Sequence, residues 1–405
     1  MAQGPMRSVH EHLEAVLGDL SPRAPELTAV DETIGLAVAE RVVNDFPLPP
    51  FTSSAMDGYA VRLSDVEVLP ATLPVPVDLP AGSALAVRLV PGTAHRIMTG
   101  ATVPEGADAV IPVEWTDAGA YRVVIEHMPA AIAPGLNIRP QGDDLPTGEQ
   151  LADVGDVVDA PRLALMISAG ISRVAAYPAP RVAVVSTGDE LYPLGKPLPP
   201  GGIYDSNGYL IAALVAQSGG RVARRVRLAD DQQVATELLQ SIASEVDLIV
   251  TTGGVSAGAY EVIRDVFAKL GTAEFTSVAM QPGKPQGLGT IGGTPVITLP
   301  GNPLSAMVSF HLFVGPAIRT LGGQREVMPA RARLSTTVEL DSRPDRVRYL
   351  PAVADLLRRT VSTTARHGSH RSSVAVGTNS LIEVPTAQAQ LVAGTEVEVV
   401  LIPAR

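Results

Sequence analysis

The chain reads as a multidomain protein of α/β plus β class: a central α/β domain, an N-terminal helical linker region carrying an inserted β-rich domain, and a C-terminal β-barrel-like domain. Three observations predict it. From Arg181 to Gly322, apolar runs short enough for buried strands alternate with helical patterns, which is the signature of a mostly parallel sheet. From Phe51 to Arg139 the apolar runs are separated by Gly, Pro and Asp, as in a small β-rich unit. After Gly323 strand-like runs return without helices between them. The divisions these shifts suggest are 1–50 with 137–175 for the helical linker, 51–136 for the insert, 176–325 for the α/β domain and 326–405 for the C-terminal domain.

Each element has a local reason. Ser8 with Glu11 three residues on predicts a capped helix whose buried stripe is Leu13, Val16 and Leu17. A second helix is predicted from Ile34 to Val43, with Ile34, Ala37, Val38 and Val42 on one face, until Pro47, Pro49 and Pro50 stop it. In the insert, Leu85–Val90, Ala109–Val113 and Tyr121–Ile125 read as strands. A turn, one short strand and a helix near Pro161–Ala169 follow. In the α/β region Val182–Ser186 is a continuous apolar run suited to a strand buried on both faces. A helix from Ser206 or Asn207 to Gly219, a strand at Val222–Val226, a helix at Asp231–Ser244, a strand at Asp247–Thr251, a helix around Glu261–Leu270 and a strand at Pro295–Leu299 complete the alternation, ending in a long apolar helix. Ala332–Leu340, Arg346–Pro351, Leu381–Val384 and Glu396–Ile402 are the C-terminal strands.

Composition narrows the function classes. With 31 Lys+Arg against 42 Asp+Glu the net charge is −11, which repels nucleic-acid phosphates unless a local basic patch overrides it. The arginines between Arg221 and Arg227 read instead as one exposed strand face. The absence of cysteine excludes disulfides, iron–sulfur clusters and thiol nucleophiles. The first residues carry charge and no continuous apolar core, so no signal peptide is expected, and no run of eighteen uncharged apolar residues predicts a membrane span. A cytoplasmic protein is the expectation. The seven histidines show no metal-ligand spacing, and His10 and His12 read as surface positions of the first helix.

Candidate chemistry clusters at strand ends. Ser186-Thr187-Gly188-Asp189-Glu190 follows a buried strand, where open α/β sheets bind ligands; its carboxylates suit a divalent cation held against phosphate, and an acidic turn is the competing reading. Asp205-Ser206-Asn207 offers polar contacts or an ordinary helix cap. Thr251-Thr252-Gly253-Gly254-Val255-Ser256-Ala257-Gly258 has the small residues of an anion cradle without the lysine of a P-loop. In Pro282-Gly283-Lys284-Pro285 two prolines restrain a cation, and Pro300-Gly301-Asn302-Pro303-Leu304-Ser305 opens a helix. Outside this region, Ser54-Ala55-Met56-Asp57-Gly58-Tyr59-Ala60, Met98-Thr99-Gly100 and Gly142-Asp143-Asp144 are either turns or site edges.

The joint order of these motifs, with Ser369-His370, Ser373 and Asn379 near the end, resembles the MoeA/gephyrin-E family of molybdopterin molybdenumtransferases over nearly the whole chain. The resemblance implies that the α/β domain binds molybdopterin and that the chain works as a homodimer with its site between subunits. It implies adenylyl-molybdopterin and molybdate as substrates, molybdenum cofactor and AMP as products, and Mg²⁺ as the assisting ion. Carried onto this sequence, Asp57, Glu190, Asp230, Glu261 and Lys284 are catalytic candidates. Thr99, Asp144, Thr187, Gly188, Asp205, Asn207, Gly253, Gly254, Ser256, Pro300, Asn302 and Ser305 are substrate-binding candidates. Lys284, Pro285, Arg346 and Ser369 would take molybdate, and Glu190, Asp230, Asp57 and Asp144 the magnesium ion.

Two positions depart from the family pattern. Glu261 stands where an aspartate is common, and Gln281 where some members have a lysine, which removes one positive charge from the pocket. Competing readings are a tungsten-inserting homologue, a molybdopterin adenylyltransferase, and a non-catalytic gephyrin-like scaffold. An adenylyltransferase and a recipient molybdoenzyme are the expected partners; nucleic acid and membrane are not.

Overall fold

The computed structural model describes residues 6–83, 87–129, 131–228, 232–254, 266–267, 273–363, 368, 370–387 and 390–402. Asp230, Ser256, Glu261 and Ser369 lie outside these residues, as do most of the helix expected around Glu261–Leu270 and part of the strand expected at Leu85–Val90.

Helix α1 (Val9–Leu17) forms as its capping box requires, with Ser8 Oγ accepting from Glu11 N and the Glu11 carboxylate accepting from Ser8 N. Its apolar face packs against the core of the α/β domain. His12 is a correction to its reading as a surface residue. It is fully buried and meets the Phe313 ring edge-on at 4.7 Å. The helical period explains this, since His12 lies four residues before Val16, on the buried stripe.

Strands β1 (Glu26–Ala29) and β2 (Val42–Val43) follow. The helix expected at Ile34–Val43 is absent. Gly35, Val38 and Ala39 send their N–H groups to Val158, Asp156 and Ala175. This extended stretch therefore finds its partners across the chain, and tertiary pairing overrides the helical pattern. The partners come from the segment after the insert: β11 (Gln150–Ala152) pairs with β2, and β12 (Arg173–Ala176) with β1. Helix α2 (Ala160–Ser168), capped by Asp159, closes a core of Val30, Val38, Leu151, Val158, Met166 and Val174.

Between these halves lies the insert. β3 (Ser53–Ser54) pairs with β10 (Ile138–Arg139) at its base. A four-stranded sheet, in the order β6 (Val77–Leu79), β7 (His95–Ile97), β4 (Gly58–Val61), β8 (Ala109–Pro112), lies beside the pair β5 (Ala71–Pro74) and β9 (Arg122–Ile125). Tyr59, Val61, Leu73, Ile111 and Ile125 fill the space between.

The α/β domain has a six-stranded sheet in the order β16 (Arg221–Leu228), β13 (Arg181–Thr187), β17 (Leu248–Thr252), β21 (Thr294–Leu299), β20 (Pro285–Ile291), β18 (Ala273–Ser277). The first four are parallel; β20 runs antiparallel to β21, and β18, antiparallel to β20, returns to the direction of the first four. Along β13, Val182 and Val184 enter one core and Ala183 and Val185 the other. Burial on both faces is why this strand reads as an unbroken apolar run. Helix α3 (Asn207–Gln217) and the helix Pro303–Leu321 cover one face, and α4 (Gln232–Ala243) the other. Pro303–Leu321 is long and apolar enough to cross a bilayer, but here it forms the domain core. It consists of α5 (Pro303–Ser309), a π-helical turn (Phe310–Val314) and α6 (Gly315–Leu321).

The C-terminal strands close on themselves. β23 (Val347–Asp355), β24 (Thr360–Thr363), β22 (Arg331–Thr336), β26 (Glu396–Leu401) and β25 (Ser380–Val384) pair in that order, and β25 pairs back to β23. β24 has no counterpart in the sequence reading. Leu334, Leu350, Val361, Ile382 and Val399 fill this barrel, whereas Tyr349, Leu381 and Val400 join the α/β core. A short strand of the α/β domain, β19 (Met280–Gln281), runs parallel to Val347–Arg348 and stitches barrel to sheet.

The buried His12 gives the fold a pH dependence. Burial pushes its imidazole pKa down to about 4, with the Arg7 charge adding to the shift. Stability is therefore full above the unfolded value of about 6.5 and is lost as pH falls from there toward 4, by on the order of 3 kcal/mol. Both ring nitrogens lack hydrogen-bond partners, so His12→Leu removes no bond. Urea midpoints taken between pH 7 and 4.5 are expected to fall less steeply in His12→Leu than in the parent; parallel profiles would contradict this origin.

Candidate functional site

Parallel pairing puts three strand ends at one level. Ser186 of β13 stands beside Thr252 of β17, and Thr252 beside Leu299 of β21. The loops that follow, 187–190, 253–254 and 300–302, therefore emerge together at the carboxyl edge of the sheet, where open α/β folds bind ligands. With the start of α3 they line a cleft of about 730 Å³. Thr187, Gly188, Glu190, Asp205, Asn207, Gly253, Gly254, Pro300 and Asn302, all expected from the sequence, meet here.

Asn207 ties these loops together. Its side-chain amide donates to Thr252 Oγ1 at 2.8 Å and to the Gly301 carbonyl at 2.6 Å. Its Oδ1 is buried with no hydrogen-bond partner. Asp205 accepts from Gly208 N at 2.9 Å, so the cap reading of this motif holds while the residue still lines the cleft. Gly253 has φ +91°, and a Cβ there would sit 2.7 Å from Thr187 Oγ1. Only glycine lets the two loops approach this closely. At Gly188 a Cβ would meet the Glu190 carboxylate at 2.5 Å. That carboxylate folds back across bare backbone at the cleft wall.

A second cavity, of about 290 Å³, adjoins the first and shares Pro285, Pro300 and Asn302 with it. It lies where the barrel meets the sheet. Lys284 reaches it from the turn before β20, and Arg346 and Arg348 from the start of β23. Ser305 and Gly368, the neighbour of Ser369, also line it. The Lys284 turn is braced by Gln286, whose amide donates to the Gly283 carbonyl and to Ser309 Oγ. Arg346 is paired with Asp345, whose carboxylate is held below the usual range by that pair, with Lys284 adding to the effect. His370, which follows Ser369 in the C-terminal motif, lines the larger cleft, whereas Arg348 and Tyr349 were not singled out from the sequence. Arg348 and Tyr349 belong to a strand that reads as core, and only the β19–β23 pairing brings that strand to the cavity.

Three candidates do not join this site within one chain. Asp57 and Thr99 sit together on the insert, exposed, with Thr99 donating to Asp57 Oδ1 through its backbone N–H at 2.6 Å and its hydroxyl at 2.7 Å. Asp144 lies in a separate depression with Ser53, Arg139 and Asp143. Among the described residues there is no group of three or more His, Cys, Asp or Glu side chains that could hold a metal ion.

Three family models match consecutive stretches: the MoeA N-terminal region (domain I and II) over residues 7–170, a probable molybdopterin binding domain over 183–320, and the MoeA C-terminal region (domain IV) over 322–402. The chain is 39% identical to molybdopterin molybdenumtransferase 2 of Mycobacterium tuberculosis, covering 97% of this chain and 99% of the relative. It is 34% identical to the molybdopterin molybdenumtransferase of Nostoc sp., covering 91% and 87%. The molybdopterin biosynthesis moeA protein from Pyrococcus horikoshii OT3 has a similar structure, with a TM-score of 0.80 at 25% identity over 98% of this chain and 100% of that one.

The Thr99 bonds, the backbone one first, hold the Asp57 carboxyl below its ordinary pKa. Thr99→Val removes the hydroxyl donor and keeps the backbone one, so the Asp57 pKa is expected to rise toward the ordinary value. A carboxylate NMR titration reads this directly, and an unchanged midpoint would remove the Thr99 hydroxyl as a cause.

Proposed function

The chain belongs to the MoeA family of molybdopterin molybdenumtransferases, and from that premise we propose that its two adjoining cavities divide the work of metal insertion. Adenylyl-molybdopterin lies along the larger cleft and molybdate enters the smaller, cation-lined one; molybdenum cofactor and AMP leave. The observation that carries this reading is the shared wall of Pro285, Pro300 and Asn302 between the two cavities. It sets an oxyanion beside the end of a bound pterin without a long transfer.

Roles follow from chemistry. Thr187, Gly188, Gly253, Gly254 and, beyond the described residues, Ser256 offer small groups and backbone N–H donors to the pyrophosphate. Asp205 and Pro300 shape the cleft for pterin or adenylate. Asn207 holds the walls with its amide and has its carbonyl oxygen left for a ligand donor. Lys284 is the electrostatic anchor for molybdate, with Pro285, Ser305 and Arg346 around it; Ser369, outside the described residues, is the further candidate from the sequence. The Asp345 pair means that Arg346 must share or exchange its partner when the oxyanion arrives.

The carboxylate set suits a magnesium ion that arrives with substrate. Magnesium takes one or two carboxylates plus phosphate oxygens, and Glu190, folded across Gly188 at the cleft wall, can supply one. Asp230 and Glu261, outside the described residues, remain the further acidic candidates from the sequence. When bound, the ion neutralises charge on the phosphoryl oxygens as the anhydride is cleaved. We also propose that the enzyme is a cytoplasmic homodimer. Asp57, Thr99 and Asp144, exposed and off the cleft of their own chain, then complete the site of a second copy.

Molybdate-dependent release of AMP from adenylyl-molybdopterin tests the reaction. Lys284→Ala is expected to weaken molybdate about tenfold or more, consistent with loss of a charge-assisted contact; unchanged molybdate dependence would remove Lys284 from the pocket. Mixing Asp57→Asn chains with Lys284→Ala chains tests the shared site. In a two-fold dimer, each mixed pair keeps one intact site, so about a quarter of parental activity should return. Mixtures as inactive as their parts would place Asp57 and Lys284 in service of the same chain's site.

A further inference from the structure

A third cavity, of about 540 Å³, lies away from this chemistry. Helices α3 and Pro303–Leu321 both begin at the reaction cleft, at Asn207 and Pro303. Both run to the third cavity, which they line through Gln217, His311 and Arg319. One helix length, about 16 Å for the eleven residues of α3, separates the two. Ile34 and Leu36 from the N-terminal region and Ile402 from the end of the barrel form its apolar side, with Leu214. Three structural units thus meet around it.

Its polar side contains an unanswered charge. Arg319 runs back along its helix past Gly315, where an added Cβ would come within 3.4 Å of Nη1. Nη1 is buried and meets no acceptor. Among the described residues no Asp or Glu lines the cavity. Guanidinium stays charged at neutral pH, and although Arg319 is partly exposed, its buried Nη1 has lost water and gained no acceptor in exchange. Burial lowers the Arg319 pKa with no opposing carboxylate. His311, on the π-helical turn, is held neutral by burial and by Arg319, which push its pKa down to about 4, so it offers an N–H donor and no countercharge. π-helical turns recur at functional sites for this reason of altered side-chain placement.

We propose that this cavity binds a small organic carboxylate, its charge on Arg319 and its aliphatic body against Ile34, Leu36, Leu214 and Ile402. The carbonyl end of α3 faces the same space, which disfavours a multiply charged anion, and the apolar wall selects an organic body over an inorganic ion. The site is independent of the metal-insertion reading.

Calorimetric titration of the full chain with hexanoate tests it, with hexanamide as the neutral analogue and sulfate as the inorganic anion. One hexanoate per chain is expected, with hexanamide and sulfate weaker by about tenfold or more. Arg319→Met should lower hexanoate affinity by a similar factor while its own thermal midpoint stays level or rises, because a buried donor without an acceptor has gone. Lys284→Ala should bind hexanoate as the parent does, which separates this site from the molybdate cavity. Should Arg319→Met fail to fold, Ile34→Glu decides: a carboxylate built into the rim should displace hexanoate. No hexanoate binding at millimolar concentration, equal binding of sulfate, or affinity unchanged in Arg319→Met or, if that chain does not fold, in Ile34→Glu would each overturn the proposal.

Discussion

The two hydrogen bonds donated by the Asn207 amide are the constraint on which the reaction cleft depends. Loops after parallel strands are otherwise independent, each free to open toward water. Asn207 sits on a fourth segment, the start of α3, and bonds at once to the end of β17 and to the turn after β21. Gly253 brings the β17 loop against Thr187 of β13. One buried side chain and one close approach thus fix three loops relative to one another. Each such bond contributes only about 1 kcal/mol to net stability. Its larger effect is on geometry, because a cleft wall that wanders by an ångström loses its fit to a rigid pterin or phosphate.

The smaller cavity depends on a different device. The barrel is docked by its outward face, with Tyr349, Leu381 and Val400 entering the α/β core. The β19–β23 pairing then sets the register between the two units. That register delivers Arg346 and Arg348 to the side of Lys284. Three cationic side chains in one small space would repel one another in water, and the Asp345 partner of Arg346 offsets part of that repulsion. An acidic enzyme of net charge −11 gathers its cations locally, which is how an oxyanion can be drawn into it.

Much of this was legible in the sequence, for identifiable reasons. The α/β alternation and the loop motifs after β13, β17 and β21 could be read because buried parallel strands leave continuous apolar runs, and the turns after them leave glycines and hydroxyls. The helix expected at Ile34–Val43 failed because Ala37 and Val38 bridge instead to Val157 and Ala176, far along the same chain. His12 was misplaced because a polar residue type outweighed its position on the stripe. β24 and the placement of Arg348 and Tyr349 at the smaller cavity were not legible, since they follow from barrel closure and domain docking, neither of which has a local signal. Asp57, Thr99 and Asp144 were found as motifs, but their sequence positions say nothing of which chain's cleft they serve.

The most direct measurement is hydrogen–deuterium exchange on the parent and on Asn207→Ala. If the amide sews the cleft together, residues 187–190, 252–254 and 300–302 will lose protection together in the variant, while the interiors of β13, β17 and β21 keep theirs. Faster exchange confined to the first turn of α3, or a general loss across the sheet, would contradict the claim that this one side chain organises the site.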